Sequence, residues 1–311
     1  HRVLQQHPQV SLGFFVDDGA LSSVGPSDSV VAAHLSSASL DLVADLARDG
    51  LPIAPEKTII VCSTSTCARR IARQIGVSST VAAHSARDLG IDFTSGRRYS
   101  ARLLHVRRAR FSKSRRRIAC IVRFSKVNRK ASSLYFSGAL PESTFGVEVL
   151  GASDACLTLL RRDAASVCGI SGHRRNLDLT FGLNDRFDPA IHSATAPLVR
   201  YAKEIWLSSS RPAPPGAIQY KQLVKGFHST ILCGNAPRSW GCANGPLSAA
   251  FLRGRRLGWE FVSPVAVRTL SGSVINFFQL APASVAKLAR EAFTQSSLLR
   301  GFSRLRASDL P

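Results

Sequence analysis

Ser11-Leu-Gly-Phe-Phe-Val-Asp-Asp-Gly-Ala-Leu21 is the stretch on which the fold turns. It sets two adjacent carboxylates, Asp17 and Asp18, at the end of an apolar run of Leu12, Phe14, Phe15 and Val16. Two acids at the tip of a buried strand lose hydration and repel each other unless a cation sits between them and a substrate. A pair of divalent metals held by such carboxylates supports in-line nucleotidyl transfer. The simpler reading is a β-turn, because Asp17-Asp18-Gly19 is good turn chemistry between two apolar runs. The dipeptide alone does not choose between the two.

Outward from this stretch, Val10 to Val16 reads as a strand, and Ala20 to Ser23 as a short return strand after the turn. Gly25-Pro26-Ser27-Asp28 can cap a helix running from Ser29 to Asp49, with Val31, Leu35, Leu42 and Leu46 on one face. Gly50 ends it as a left-handed cap. A proline-punctuated loop, Gly50-Leu-Pro-Ile-Ala-Pro-Glu-Lys-Thr58, leads into a β-branched strand from Thr58 to Cys62. Ala68 to Ile75 reads as a short helix. Ser79 to Phe93 reads as two extended segments around Ser85-Ala-Arg-Asp88, ending in Leu89-Gly-Ile-Asp-Phe93. Residues 1–95 are therefore expected to be α+β, with hairpins.

Composition shifts after Phe93. From Arg97 to Lys130 there are 14 Lys and Arg, and no acid occurs between Asp92 and Glu142. Tyr99, Leu103 and Val106, then Ile118, Ile121 and Val122, give this stretch helical patterning. Further helices are expected around Asp154 to Val167 and Ala190 to Leu207, and the Ser/Pro-rich run Ser208 to Gly216 looks like a boundary. Beyond it, Pro246 to Leu257, two strands within Phe261 to Gln279, and Ser284 to Leu299 suggest a small α-β-β-α unit. Trp206, Trp240 and Trp259 are expected to anchor its core.

The whole chain of 311 residues is 45% hydrophobic, which points to a globular protein with ample chain for a core. Forty-one basic against 20 acidic residues give a net charge of +21 and a pI near 10.9. That excess points to a polyanionic partner, nucleic acid ahead of an anionic membrane surface. No apolar run approaches the length of a transmembrane span and no secretory signal is visible, so an intracellular, soluble protein is expected, with the nucleus a compatible compartment. Cysteines 62, 67, 120, 156, 168, 233 and 242 show no Cys-x-x-Cys spacing, which leaves a zinc ribbon without support and predicts reduced thiols, mostly in the core.

Taken in order, Phe15-Val-Asp-Asp18, the amphipathic helix, Gly50-Leu-x-Ile-x-Pro-x-Lys-Thr58 and Leu89-Gly90 resemble the C-terminal half of the palm of reverse transcriptases, particularly those of non-LTR retroelements. Order and spacing make the match more specific than any one piece. It departs at Ala54, where the family usually has Asn. The resemblance implies the rear half of a polymerase palm over 1–95, antiparallel hairpins with a helix. A mostly helical, basic thumb over 96–207 and an appended small α/β unit over 208–311 would follow.

By resemblance, Asp17 would ligate catalytic Mg²⁺, with Mn²⁺ as an alternative, and Asp18 would support that site or bind directly. Lys57 would face the incoming triphosphate as a charge partner and proton donor to the leaving pyrophosphate. Leu89 and Gly90 would place the primer terminus. The partners implied are an RNA template, a DNA primer and deoxynucleoside triphosphates. Arg97, Arg98, Arg102, Arg107, Arg108, Arg110, Lys113, Arg115, Arg116 and Arg117 would meet nucleic-acid phosphates. Phe111 or Tyr99 could stack on the duplex or pack in the core.

A palm polymerase needs a further carboxylate from an upstream strand. Here the hairpin begins at Val10, and Asp28, Asp41, Asp45 and Asp49 lie downstream of it. With no methionine in the sequence, the chain is expected to be a fragment of a longer frame, one that binds nucleic acid without polymerising by itself. One rival reading is a non-catalytic nucleic-acid-binding protein whose Asp-Asp turn is only a hairpin. Another is a viral-type RNA-dependent RNA polymerase, ranked behind it because those usually carry Gly where this chain has Val16.

Overall fold

Arg2–Gln6 (α1) leads into an antiparallel hairpin of Val10–Phe15 (β1) and Asp18–Ser23 (β2), registered from Val10 opposite Ser23 to Phe15 opposite Asp18. This computed structural model describes residues 2–15, 18–51, 53–78, 82–83, 85–88, 91–94, 105–170, 176–209, 220–232, 239–240, 243 and 245–305. The register corrects the expected turn. Asp18 pairs with Phe15 and so belongs to the return strand instead of the turn. The chain divides into two compact units, residues 1–105 and 106–311.

In the first unit, Asp28–Arg48 (α2) starts where the Ser27 side chain accepts a hydrogen bond from the Val30 amide. It stops at Gly50, whose φ of +77° only glycine adopts cheaply. There the Leu51 amide reaches the Leu46 carbonyl at 2.8 Å and the Gly50 amide the Ala47 carbonyl at 3.1 Å, a paired closure of the last turn. The predicted face is the packed one. Val3, Val10, Ala38 and Leu42 form a core beneath the hairpin, joined by Leu12, Leu21, Leu35 and Leu46.

Ile60–Val61 (β3) is followed by Ser65–Gln74 (α3) and then by Ala82–Ala83 (β4), which pairs in parallel with β3. A helix between the two strands is the usual way to connect a parallel pair. Ile60, Cys62, Cys67, Ala68, Ile71 and Ala72 close against Ala32 of α2. Thr64 caps α3 by accepting from the Cys67 amide at 3.1 Å, and its hydroxyl donates to Asp28 at the start of α2. Ser85–Asp88 (β5) and Ile91–Thr94 (β6) form a second antiparallel hairpin, with Asp88 opposite Ile91.

Among the described residues one helix, α2, is long and apolar enough to cross a membrane by length and composition, with a mean hydropathy of 1.3. This amends the expectation that no segment qualifies. The helix nevertheless carries Asp28, Asp41 and Asp45, and one face packs under the hairpin and against α3.

The second unit is mostly helical. His105–Ser125 (α4) is followed by Leu140–Thr144 (α5), Val147–Leu150 (α6), Asp154–Val167 (α7), Leu177–Gly182 (α8), Ala190–Ser209 (α9), Tyr220–Phe227 (α10) and Pro246–Arg256 (α11). A three-stranded antiparallel sheet, Glu260–Ser263 (β7), Ala266–Arg268 (β8) and Val274–Asn276 (β9), precedes Pro282–Phe302 (α12). Ile118 and Ile121 of α4 pack with Tyr135, Ala139, Ala164, Ala165 and Phe181. A larger core joins Leu157, Leu160, Leu198, Tyr201 and Ile205 to Leu257, Trp259, Phe277, Val285 and Phe293.

Two expectations change here. The proposed boundary at 207/208 falls inside α9, and residues from both sides of it share that larger core. The tail is α-β-β-β-α, because Pro264-Val265 turns the chain between β7 and β8 where a single strand was expected. The expected boundary at 95/96 lies outside the described residues. In coarse terms the chain mixes helix with small sheets, as the α+β reading requires.

Candidate functional site

Asp18 opens β2 with an exposed side chain. Phe14 is half-exposed beside it and lies over Gly19, where a Cβ would sit 2.9 Å from the ring. A glycine after the acidic pair is thus set by the aromatic ring of the facing strand. Asp17 lies outside the described residues.

The downstream acids of α2 are engaged elsewhere. Asp41 meets the buried His7 ring at 2.7 Å, Asp28 holds Thr64, and Asp45 pairs with Arg48 at 3.1 Å. Among the described residues no group of three or more His, Cys, Asp or Glu could hold a metal. One exposed carboxylate does not make a Mg²⁺ site, which takes several oxygen ligands in near-octahedral array. The described residues therefore do not by themselves fit the implied ion.

Lys57 ends a short 3₁₀ turn, Pro55–Lys57, and its side chain is exposed. The turn is fixed by the Lys57 amide on the Ala54 carbonyl at 3.1 Å and the Thr58 amide on the Pro55 carbonyl at 3.2 Å. No ion pair between Lys57 and Asp18 occurs among the described residues. Leu89 and Gly90 lie outside the described residues, flanked by the paired strands β5 and β6. Arg97, Arg98 and Arg102 also lie outside them. Arg107 and Arg108 fall on α4, with their side chains not described.

The remaining basic residues sort by helical face. Ser114, Ile118 and Ile121 are buried, and Ser114 donates to the Ala139 carbonyl at 3.1 Å. Lys113, Arg115, Arg116, Arg117 and Arg123 are on the exposed side. Glu142 of α5 folds back onto this helix and takes two of them, Arg117 at 2.5 Å and Lys113 at 3.2 Å. Arg110 lies over the Phe145 ring, 4.6 Å from its centroid. The sequence gap without acids therefore does not leave every cation free. Arg115, Arg116 and Arg123 are without a hydrogen bond or ion pair among the described residues. Phe111 packs at the edge of the larger core, as one of its two expected uses.

Sequence reasoning missed a buried charge cluster in the second unit. Arg161 is 4% exposed, and its guanidinium bonds Asp178 at 2.7 Å, Asp188 at 3.0 Å and the Ser297 hydroxyl at 3.0 Å. Asp188 also accepts from the Ala190 amide at 2.9 Å, which caps α9, and Arg304 reaches Asp178 at 2.7 Å. Each of these charged groups has its partners within the set, so it is a structural staple. Arg253 is also fully buried, giving one bond to the Ala152 carbonyl at 2.6 Å and lying 5.0 Å from the Trp240 ring. Burial lowers its pKa to about 10.

Of the described cysteines, Cys62 and Cys67 are buried and Cys156 packs against the larger core, while Cys120 and Cys168 are exposed; Cys233 and Cys242 lie outside the described residues. Trp259 is a core anchor at 3% exposed, whereas Trp206 and Trp240 are only partly buried. No family model, curated protein or solved structure matches the chain.

Proposed function

We propose that this chain is the rear palm and thumb of a reverse transcriptase of non-LTR retroelement type, and that it binds nucleic acid through the exposed face of α4. The parent enzyme would copy an RNA template onto a DNA primer by two-metal nucleotidyl transfer, inside the cell, with the nucleus as the compartment of an integrating element. One observation carries the reading. The β1–β2 register pairs Phe15 with Asp18, which puts Asp18 at the first position of the return strand, and the chain then runs into an amphipathic helix. The Lys57 turn and the β5–β6 hairpin then follow in the family's order.

Asp17 and Asp18 are assigned as ligands of Mg²⁺ or Mn²⁺, and Lys57 as the partner of the triphosphate. The assignment requires a further carboxylate from a strand that precedes His1 in the parent. The second reading, a nucleic-acid-binding protein without catalysis, is favoured by one fact: Asp18 has no carboxylate cluster around it among the described residues.

The reading frame upstream of His1 separates them. An Asp within an apolar strand some tens of residues earlier supports the polymerase, and a start codon directly before His1 favours the binder. The extended protein should then incorporate deoxynucleotides on a primed RNA template with Mg²⁺ and lose that activity in Asp17→Asn. Persistence of full activity in that variant would remove the assignment.

A further inference from the structure

Helix α4 runs beside α7, and a shallow groove lies between them. On the α4 side it is lined by Ala119, the half-buried Val122 and the edge of the buried Ile118. Arg115 and Arg123 of α4 also line it, and Asp163 and Ser166 line it from α7. The two arginines are eight positions apart, or about 12 Å along a helix axis. Neither has a hydrogen bond or ion pair among the described residues, in contrast to Lys113 and Arg117, which Glu142 occupies.

Asp163 is the unusual member. It is partly buried, accepts no hydrogen bond and joins no close ion pair among the described residues. Burial pushes its carboxyl above the usual range, and the Arg115 charge nearby opposes that shift. A carboxylate held in this way costs stability unless donors arrive from outside the fold. Ordinary phosphate binding does not supply them, because a phosphate brings acceptors and would be repelled.

The ligand that fits must therefore be anionic at its ends, flat and apolar on its face, and a donor along one edge. We propose that this groove takes one unstacked nucleotide of a single strand, with guanine as the preferred base. Guanine presents two parallel N–H donors, N1–H and N2–H, to the two carboxylate oxygens of Asp163. The base lies on Val122 and the edge of Ile118, and the flanking phosphates fall to Arg115 and Arg123. Adenine and cytosine each offer a single amino group on that edge, and uracil a single imino N–H, so none matches both oxygens.

The inference rests on the nucleic-acid reading of α4, and its test separates the two. The whole chain is titrated, by fluorescence anisotropy, into labelled oligouridines that carry one central guanosine, adenosine, cytidine or uridine. The guanosine strand should bind at least about 5-fold more tightly than the others. Asp163→Asn should abolish that preference while holding or raising the affinity for all-uridine RNA. Asp163→Ser, with its melting temperature measured alongside, guards against a folding artefact in either variant. Equal affinity for all strands, or a guanosine preference that survives Asp163→Asn, overturns this inference alone. Failure to bind any strand overturns it together with the proposed nucleic-acid role.

Discussion

Arg161 and Asp188 form a two-point ion pair in the interior of the second unit, with side chains 5% and 2% exposed. The pair joins α7 to the start of α9, and Ser297 of α12 closes on the same guanidinium. Removing one partner of a buried pair leaves an uncompensated charge, at about 3 to 5 kcal/mol. Asp188→Ala should fall near the lower end, about 3 kcal/mol, because Asp178 still faces Arg161. Urea unfolding followed by helical circular dichroism measures it. A loss below about 1 kcal/mol would show that the pair is no staple.

The exposed cations of α4 should divide into two classes. Arg115→Gln, Arg116→Gln and Arg123→Gln each remove a cation that has no ion pair among the described residues and, on the proposed role, should lower the slope of log affinity against log salt by about 0.7 on single strands. Lys113→Gln and Arg117→Gln should change it less, since Glu142 already neutralises them. Glu142→Gln should strengthen binding. Equal slopes for all five arginine and lysine variants would dissolve the distinction.

At Gly50 the backbone stands at φ +77°. Gly50→Ala should destabilise the first unit by about 1 kcal/mol, and Gly50→Asn by less, because Asn tolerates the left-handed region. Thermal melting of the two variants side by side gives the ranking. A more stable alanine variant contradicts the cap.

Burial pushes the Cys62 thiol up to about 12, with Cys67 beside it adding to the shift. A thiol whose folded pKa exceeds its unfolded value stabilises the fold fully below the unfolded pKa, about 8.5. That contribution is lost as pH rises towards the folded value. Stability of the first unit should thus decline from about pH 8.5 upward, and Cys62→Val should flatten the decline. In native protein, iodoacetamide should label the exposed Cys120 before Cys62 or Cys67. Prompt labelling of Cys62 would contradict its burial.

Asp163 carries the same sign of linkage. Its carboxyl titrates above the usual range, so the folded state is penalised once the group ionises. Asp163→Asn should raise the melting temperature at neutral pH, and the gain should vanish below the unfolded carboxyl pKa of about 3.9. A gain that persists at low pH points to packing in place of charge.

What was legible in the sequence was local. The apolar face of α2, its Ser27 cap and its Gly50 stop depend on residues a few positions apart, and all three stand as read. The turn at Leu270-Ser-Gly272 between β8 and β9 was legible for the same reason, with Gly272 at φ +84°. The strand break at Pro264-Val265 was not, since Val262, Val265 and Val267 keep the segment apolar throughout. Long-range charge was illegible too. Arg161 meets Ser297 across 136 positions, and nothing in either neighbourhood announces the other. Likewise the pairing of Glu142 with α4 depends on where α5 folds back.

The core that crosses residue 207 has a genetic consequence. Phe111 of α4 packs against the same cluster that holds Val285 and Phe293 of α12. A chain that stops after residue 207 lacks Leu257, Trp259, Phe277, Val285 and Phe293 of that cluster and keeps every basic residue of α4. Helix α4 would keep the packing of Ile118 and Ile121 on Tyr135, Ala139 and Phe181 and lose that of Phe111, so its N-terminal half is the part that depends on α12.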